Sequence, residues 1–507
     1  MAKIINIHNT NSNPTANRNN LLWETHSIIP KWLVNKSVLC FFIAIFACWV
    51  AYGHVPPLDL VCVASISILL FFYVGNSMSR SWYRLSEKGF LKNLFLAGIL
   101  IRLVWVLYMF FLFNPKYYGN TYGSTADVDW YMDFGRGLAE WIRGNTMESL
   151  PDVVNRYMSA IDDTGYPMML AITYVLTGGI SDVFIPLLLK CVMSTYCAIS
   201  IYRIASRHFG VSTARMAAIF VCLNPNIIYW CSTMMKETEM VFVCCLAVDK
   251  LDEALSSGNK LTLKSLSSGL LIGLILFFMR TPLALALFLA VAAHIVMASK
   301  RVIGTRKKTL ATLLVVLTLF VGVGDRFINL SKGYLERDLI EEQKANMEWR
   351  ANREAGQKGM TQDFARYAGA AVFAPLIFTI PFPTFNTADA AQLVQVQTAG
   401  GSFIKNILSF FVVMVLLRLL FSGEWRKHVF IIAYTCAYLV VLVFSGFAQS
   451  GRYHMPIWPM LMLFAAFGLQ MAKFDIRWKK WFSYVVVAEI AICLMWNWYK
   501  LAGRGLI

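Results

Sequence analysis

Charged residues are scarce in this chain. Of 507 residues only 15% are Asp, Glu, Lys or Arg, whereas 58% are hydrophobic and 14% aromatic. Soluble domains carry about 25% charged residues, so the composition excludes an ordinary soluble enzyme, and the mean hydropathy of +0.56 agrees. Negative charge is the scarcer sign, with 29 acidic against 46 basic residues and a net charge of +17. In a soluble chain that excess would point to nucleic acid. Here the basic residues sit in short connections between apolar runs, the pattern of cytoplasmic loops in a membrane protein, and no nucleic-acid partner is expected. The 11 cysteines form no Cys-x-x-Cys pair and no Cys/His metal spacing, and they lie almost wholly inside apolar runs. They therefore read as small core residues and not as a zinc site. The stretch through Asn20 is Asn-rich and lacks an apolar core, which excludes a cleaved signal peptide and fits a disordered cytoplasmic tail.

What is present is a series of apolar runs: 37–53, 57–79, 93–113, 181–201, 214–230, 238–252, 266–280, 282–299, 309–324, 403–421, 429–447, 456–472 and 482–498. A crossing helix needs about 20 mainly apolar residues. Five basic clusters punctuate the runs, around Arg84, Arg207, Lys307, Arg426 and Lys479. All five fall on one side if about thirteen segments cross and 165–179, an apolar stretch of only about 14 residues, stays juxtamembrane. The expected fold is an all-α polytopic membrane protein with juxtamembrane helices in two large external loops. Its parts are a cytoplasmic tail (1–36), three transmembrane helices (37–113), an external loop with an acidic cluster (114–180) and a transmembrane bundle (181–324). A second external loop (325–402) and C-terminal transmembrane helices (403–507) complete it. Loops of this length in a compact protein are usually functional.

The first loop carries the most informative residues. Asp127-Val-Asp129-Trp130-Tyr131-Met-Asp133 places carboxylates just beyond the end of a hydrophobic segment, where lost solvation makes an idle charge costly. The cluster opens a helix whose apolar residues (Trp130, Phe134, Leu138, Trp141, Ile142) recur with a period of about 3.6 until Gly144. An amphipathic helix of this kind lies in the membrane surface. Asp127 also suits the N-cap of that helix. Asp129, beside Trp130 and Tyr131, is the favoured general base, with Asp127 the alternative. Asp133 is expected in solvent, while Asp162 and Asp163 are near enough in sequence to reach the site. On the same side, Lys236-Glu237, Arg280 and Arg452-Tyr453-His454 stand at helix ends. Each alone reads as a snorkelling anchor. Together they suit a lipid phosphate, because charge-assisted hydrogen bonds to phosphate oxygens are strong.

These residues resemble the GT-C superfamily of membrane glycosyltransferases, and within it the lipid-carrier-dependent enzymes related to protein O-mannosyltransferases and the lipid A aminoarabinose transferase. The resemblance is carried by Asp127-Val-Asp129-Trp-Tyr131, Gly165-Tyr-Pro-Met-Met-Leu-Ala, Tyr202-Arg-Ile-Ala-Ser-Arg-His-Phe-Gly210 with Ala214-Arg-Met-Ala-Ala, Leu223-Asn-Pro225, Lys236-Glu237, and Arg452-Tyr-His-Met-Pro456 with Pro459. It departs from the pattern of the O-mannosyltransferases in having Asp-x-Asp in place of an adjacent acidic pair. It implies an inverting transfer from a polyprenyl-phosphate-linked sugar to a glycan, lipid or protein acceptor, in the inner or plasma membrane and on its extracytoplasmic face. The donor phosphate falls to Lys236, Arg280, Arg452 and His454, and substrate contacts to Tyr131, Glu237 and Tyr453. A divalent cation (Mg or Mn) is compatible with an Asp-x-Asp pair, which does not establish one. Membrane lipids are the other partners. The sequence assigns no sugar, acceptor or oligomeric state. The alternatives are a polysaccharide or O-antigen polymerase or ligase using a lipid-pyrophosphate donor, and a lipid-linked sugar flippase. Flippases place ionisable groups inside their spans, and most segments here lack charge until their ends.

The basic clusters generate the first prediction. Single cysteines at positions 203, 207 and 307 should resist an impermeant thiol reagent in intact cells, whereas those at 129 and 452 should react. Labelling at 207 would overturn the topology.

Overall fold

The computed structural model describes residues 27–123, 126–157, 163–178, 182–256, 263–297, 376–386, 393–444, 450–473 and 475–502. The predicted span 309–324, most of the second external loop, Asp162, Lys307 and residues 1–26 of the N-terminal tail lie outside these residues; the tail expected through residue 36 is already helical from Lys31, with Leu33 and Val34 buried. Among the described residues the regular structure is entirely helical. Seven helices are long and apolar enough to cross a membrane: α1 (Lys31–Tyr52), α2 (Leu58–Ser81), α3 (Glu87–Tyr118), α7 (Phe184–Phe209), α14 (Ala399–Ser422), α16 (Gly451–Ala472) and α17, whose helix runs Ile476–Ala502. Shorter apolar helices are α6 (Gly165–Leu176), α8 (Val211–Cys222), α11 (Leu263–Met279), α12 (Thr281–Met297) and α15 (Val429–Phe444). The chain is a multi-pass membrane protein.

Three features of this bundle position the site. The first is a broken helix. Pro225 lacks an N–H and disfavours helical geometry at the residue before it, so Asn224 takes an extended conformation (φ −64°, ψ 118°) and α8 ends. The Asn224 side chain then accepts from the backbone N–H groups of Asn226 and Ile227, at 3.1 and 3.2 Å, and restarts the chain as α9 (Pro225–Trp230). The turn that follows, 231–236, is buried throughout. Irregular backbone at membrane depth survives only when its polar groups find partners. Ser232 and Thr233 hydroxyls donate to the carbonyls of Tyr229 and Trp230, at 2.7 and 3.2 Å, and the Lys190 ammonium donates to that of Met235 at 2.5 Å.

The second feature is α10 (Glu237–Ser256), which runs parallel to α7. Lys190 meets Glu239 near one end, and Arg207 meets both Asp249 and Asp252 near the other. His208 bridges Asp252 (2.6 Å) and His428 (2.7 Å), while Arg215 donates to the carbonyls of Trp82, Tyr83 and Leu85. Three of the basic turns foreseen from the sequence therefore gather at one end of the bundle.

Third, the amphipathic helix α4 (Ala126–Ile142) and α6 form a surface pair at the other end. At 12 residues and 1.5 Å per residue, α6 is about 18 Å long, too short to cross. A Cβ on Gly135 would lie 2.9 Å from the Leu170 Cβ, so the two helices touch backbone to side chain there. Trp130 donates from Nε1 to the Tyr157 carbonyl at 3.1 Å, and Phe134 stacks on Tyr157 at 5.0 Å. α5 (Leu150–Tyr157) is thereby fastened beneath them. Gly144 ends the pair's first helix with φ +73°, as the sequence indicated.

The reading that most segments lack charge until their ends needs correction at four of them. Arg102, Lys190, Lys405 and Glu489 lie well inside helices and are buried. Each has partners: Arg102 donates to Ser194 Oγ and to the Gly98 and Cys222 carbonyls, and Glu489 accepts from Asn406. Pairing within the bundle makes these charges affordable in an apolar solvent.

Close helix contact generates the next prediction. A Cβ on Gly468 would stand 2.5 Å from the Phe411 carbonyl oxygen, backbone that cannot rotate away. Gly468→Ala should force α14 and α16 apart and destabilise the protein by about 1–3 kcal/mol, read as a lower thermal unfolding midpoint in detergent. An unchanged midpoint would refute the tight crossing.

Candidate functional site

The N-terminal ends of α4, α10 and α16 converge, and they bring their charges with them. Arg452 is the centre. Its Nε donates to Glu237 Oε1 in a short contact, and its Nη1 donates to Asp127 Oδ2 at 2.6 Å. Glu237 is fully buried, with Oε2 lacking a hydrogen-bond partner in the described structure, whereas the Asp127 side chain is 53% exposed. One guanidinium thus spans from the interior to the surface. Both Glu237 and Glu239 occupy the first turn of α10, where the helix dipole favours negative charge.

Two further cations stand behind this pair. Lys236 donates to the Met279 carbonyl at 3.0 Å and makes a short ion pair with Asp163, whose φ of +70° turns the chain into α6. Arg280 lies at the junction of α11 and α12, its guanidinium carbon 4.2 Å from the centroid of the Tyr453 ring. Its Nη1 is buried with no hydrogen-bond partner among the described residues. Behind Lys236, Lys190 pairs with Glu239 at 2.7 Å, both fully buried, and lies 4.5 Å over the Tyr166 ring. Tyr131 is buried against Tyr166 at 5.2 Å, and burial, with the neighbouring Glu237 carboxylate, pushes its hydroxyl well above the usual tyrosine range. At any physiological pH it remains a neutral hydrogen-bond donor.

The sequence-predicted residues divide accordingly. Asp127, Tyr131, Lys236, Glu237, Arg280, Arg452 and Tyr453 come together. Asp129 is exposed on the other side of α4, where it faces Tyr122. Asp133 is 58% exposed and pairs with Arg136, as expected of a solvated residue. His454 is fully buried and bonds through Nδ1 to the Lys405 ammonium at 2.9 Å. Lys405 also donates to the Ile380 carbonyl in a short contact, so this pair braces the turn at 380–383. Lys190, Glu239 and Lys405 escaped the sequence reading. A single lysine within an apolar run, as in Pro186-Leu-Leu-Leu-Lys190-Cys-Val-Met, was the available signal.

Arg452 also borders a cavity of about 270 Å³ between the N-terminal end of α16, the broken helix α8–α9 and the C-terminal end of α17. Pro381 and Phe382, held by the Lys405 brace, line its wall with Tyr229 and Trp230. Of the predicted site residues only Arg452 lines it; Asp127, Asp129, Tyr131, Lys236, Glu237, Arg280, Tyr453 and His454 do not. Among the described residues no three His, Cys, Asp or Glu side chains gather as a metal centre would.

Residues 157–328 match the Alg9-like mannosyltransferase family. The resemblance to membrane glycosyltransferases of GT-C type is borne out over that segment, which is less than half of the chain. No curated protein matches the chain in sequence. Among solved structures, it is similar to the archaeal oligosaccharyltransferase AglB from Archaeoglobus fulgidus in complex with an inhibitory peptide and a dolichol-phosphate. That pair shares 12% identity over 81% of this chain and 55% of the other, with a TM-score of 0.42. The apo form of the Archaeoglobus fulgidus oligosaccharyltransferase gives 11% identity, 84% and 56% coverage and a TM-score of 0.44. The chain spans about half the length of these proteins.

Burial of Glu237 sets a prediction. Arg452→Ala would strand a fully buried carboxylate, a loss of about 3–5 kcal/mol, so the variant should unfold at lower temperature and lose expression. Adding Glu237→Gln should restore much of the midpoint. If the single variant is as stable as the native protein, Arg452 is only a surface anchor.

Proposed function

We propose that this protein is a membrane glycosyltransferase that moves a sugar from a polyprenyl-phosphate-linked donor to a hydroxyl of a glycan, lipid or protein acceptor. The reaction takes place on the extracytoplasmic face of the inner or plasma membrane. One observation carries the reading: the Arg452 guanidinium, which borders the cavity, holds the Asp127 carboxylate at the bundle end opposite the basic turns. The match of residues 157–328 to a mannosyltransferase family supports it. So does the positive-inside pattern, which puts the basic turns in the cytoplasm and the site outside.

The chemistry is an inverting single displacement. The acceptor oxygen attacks the anomeric carbon as its proton passes to Asp127, and the bond from that carbon to the phosphate oxygen breaks. Polyprenyl phosphate leaves with the bonding pair. Asp127 takes the role of base in preference to Asp129, because Arg452, a residue of the cavity wall, holds it while Asp129 faces Tyr122 on the other side of α4. Arg452 supplies positive charge where the leaving phosphate gains negative charge. Lys236 and Arg280 reinforce that field from behind, and Glu237 fixes the guanidinium. His454 acts at one remove by bracing the 380–383 turn with Lys405. A divalent cation does not fit this donor set, since Asp127, Glu237 and Asp163 each already face a cationic side chain. No step is routed through a metal.

The base assignment is tested by exchange of carboxylate for amide. Asp127→Asn should slow transfer from a prenyl-phosphate sugar by about 10²–10⁴-fold while leaving expression intact, since the ion pair it loses is exposed. Asp129→Asn should retain most activity. The reverse outcome would return the base to Asp129, and full activity in both would remove the carboxylate from the mechanism.

A further inference from the structure

Asp163 is a carboxylate of this site to which the transfer chemistry gives no task. It lies on the turn into α6, and its side chain, 37% exposed, makes a short ion pair with the ammonium of Lys236, which is buried. Its backbone is unusual as well. The φ of +70° is shared, among the described non-glycine residues, only by His54 in sign. Left-handed backbone is unfavourable for an L-residue, and Asp and Asn are among the few that adopt it. Helix capping gives no account of the residue, since the N-cap of α6 is Thr164, one position on. The turn is also pressed from behind. A Cβ on Gly165 would stand 3.2 Å from the Phe278 carbonyl carbon and oxygen and 3.1 Å from Met279 Cγ, so the chain lies against the end of α11. Met279 in turn accepts from Lys236 through its carbonyl at 3.0 Å. Residues 163–165 are thus wedged between the ammonium and the chain at 278–279.

A lysine ammonium rides on a flexible four-carbon stem, so a fixed point charge needs its direction set from outside. The acids nearest Lys236 in sequence are engaged by other cations, Glu237 by Arg452 and Glu239 by Lys190. The Tyr131 ring, its centroid 6.0 Å from Nζ, bounds another side. We propose that Asp163 is a positioning residue for the transfer reaction: from its left-handed turn it fixes the Lys236 ammonium where that cation supports Arg452 against the leaving phosphate. The assignment rests on the function proposed above and acts through Lys236. It has a sign that can be read. A carboxylate that merely stood near the phosphate would repel it, and its removal would tighten anion binding. A carboxylate that holds the ammonium in place has the opposite effect, and its removal weakens binding.

The probe is farnesyl phosphate, an anion of the class that leaves, and its binding to the full chain in detergent is measured by thermophoresis. Asp163→Asn keeps the size and the tolerance of positive φ while removing the charge, and Asp163→Gly keeps only the φ. Each should weaken binding by about tenfold or more, the scale of one lost charge-assisted hydrogen bond. Lys236→Gln should weaken it similarly, and Asp163→Asn added to that variant should change it by less than about twofold, because the two act as a unit. If the native chain binds the probe while both Asp163 variants bind it equally well or more tightly, the positioning role falls and the donor class stands. If the native chain does not bind, the donor class fails and the positioning role with it. A second measurement uses the unmodified chain and covers a variant that does not fold. A carbodiimide should join the Asp163 carboxyl to the Lys236 amine as an amide, found by peptide mass spectrometry, with or without farnesyl phosphate. No cross-link, or one that farnesyl phosphate suppresses, would mean that Asp163 does not hold the ammonium in the working site, and would overturn the proposal.

Discussion

Arg452 is the contact on which the candidate-site end of this protein depends. A membrane protein carries little charge, and a buried carboxylate is costly unless a partner, best a cation, satisfies it. Glu237 is such a carboxylate, and the guanidinium that neutralises it reaches outward to Asp127 on a different element. The two contacts differ in kind. The inner one is buried and fixes α16 against α10. The outer one is half in solvent and contributes little stability, about 0–1 kcal/mol for an exposed pair. Its effect is orientation. A planar fork with fixed donor directions can position one carboxylate by leaning on another, and the surface helix α4 is thereby registered against the bundle core.

The same logic explains α10, which satisfies neither description of an apolar span used for the other helices. It carries Glu237 and Glu239 in its first turn and Asp249 and Asp252 near its end, and all four are buried. The first pair is aided by the helix dipole, the second opposed by it. Each acid is answered from another helix: Glu237 by Arg452, Glu239 by Lys190, Asp249 by Arg203 and Arg207, and Asp252 by Arg207 and His208. α10 is thus a strut pinned at both ends by charge. Its position ties the basic end of the bundle to the candidate site, and the direction of α7 beside it follows from the order of those pairs.

Much of this fold was legible in the sequence because hydropathy and loop charge record the bilayer directly. Most of the apolar runs, the surface helix ending at Gly144 and the short stretch at 165–179 have helical counterparts in the structure, though the run 214–230 is broken at Asn224, 309–324 lies outside the described residues, and seven described helices, not thirteen, are long and apolar enough to cross. The gathering of the Arg84, Arg207 and Arg426 turns at one end does too. Buried charge was less legible. Lys190 and Glu489 each appear as a single polar residue in an apolar run, Lys405 stands beside Asn406 in another, and nothing local identifies a partner tens of positions away.

The Asp-x-Asp pair shows where sequence reasoning stopped short of its own premises. On a helix, neighbours two apart point about 200° from each other, whereas residues four apart share a face. Asp127 therefore goes with Tyr131, Phe134 and Leu138, the apolar side by which α4 packs, and Asp129 goes with Asp133 and Arg136 toward solvent. Adjacency to Trp130 and Tyr131 favoured Asp129 because it treated neighbours in sequence as neighbours in space. The amphipathic period that identified α4 as a surface helix already separates the two carboxylates, setting Asp127 on the side of Arg452 and Asp129 on the side of Tyr122. The exposure of Asp127, half in water and half against Arg452, then follows from its place at the first turn, on the packing face yet at its edge.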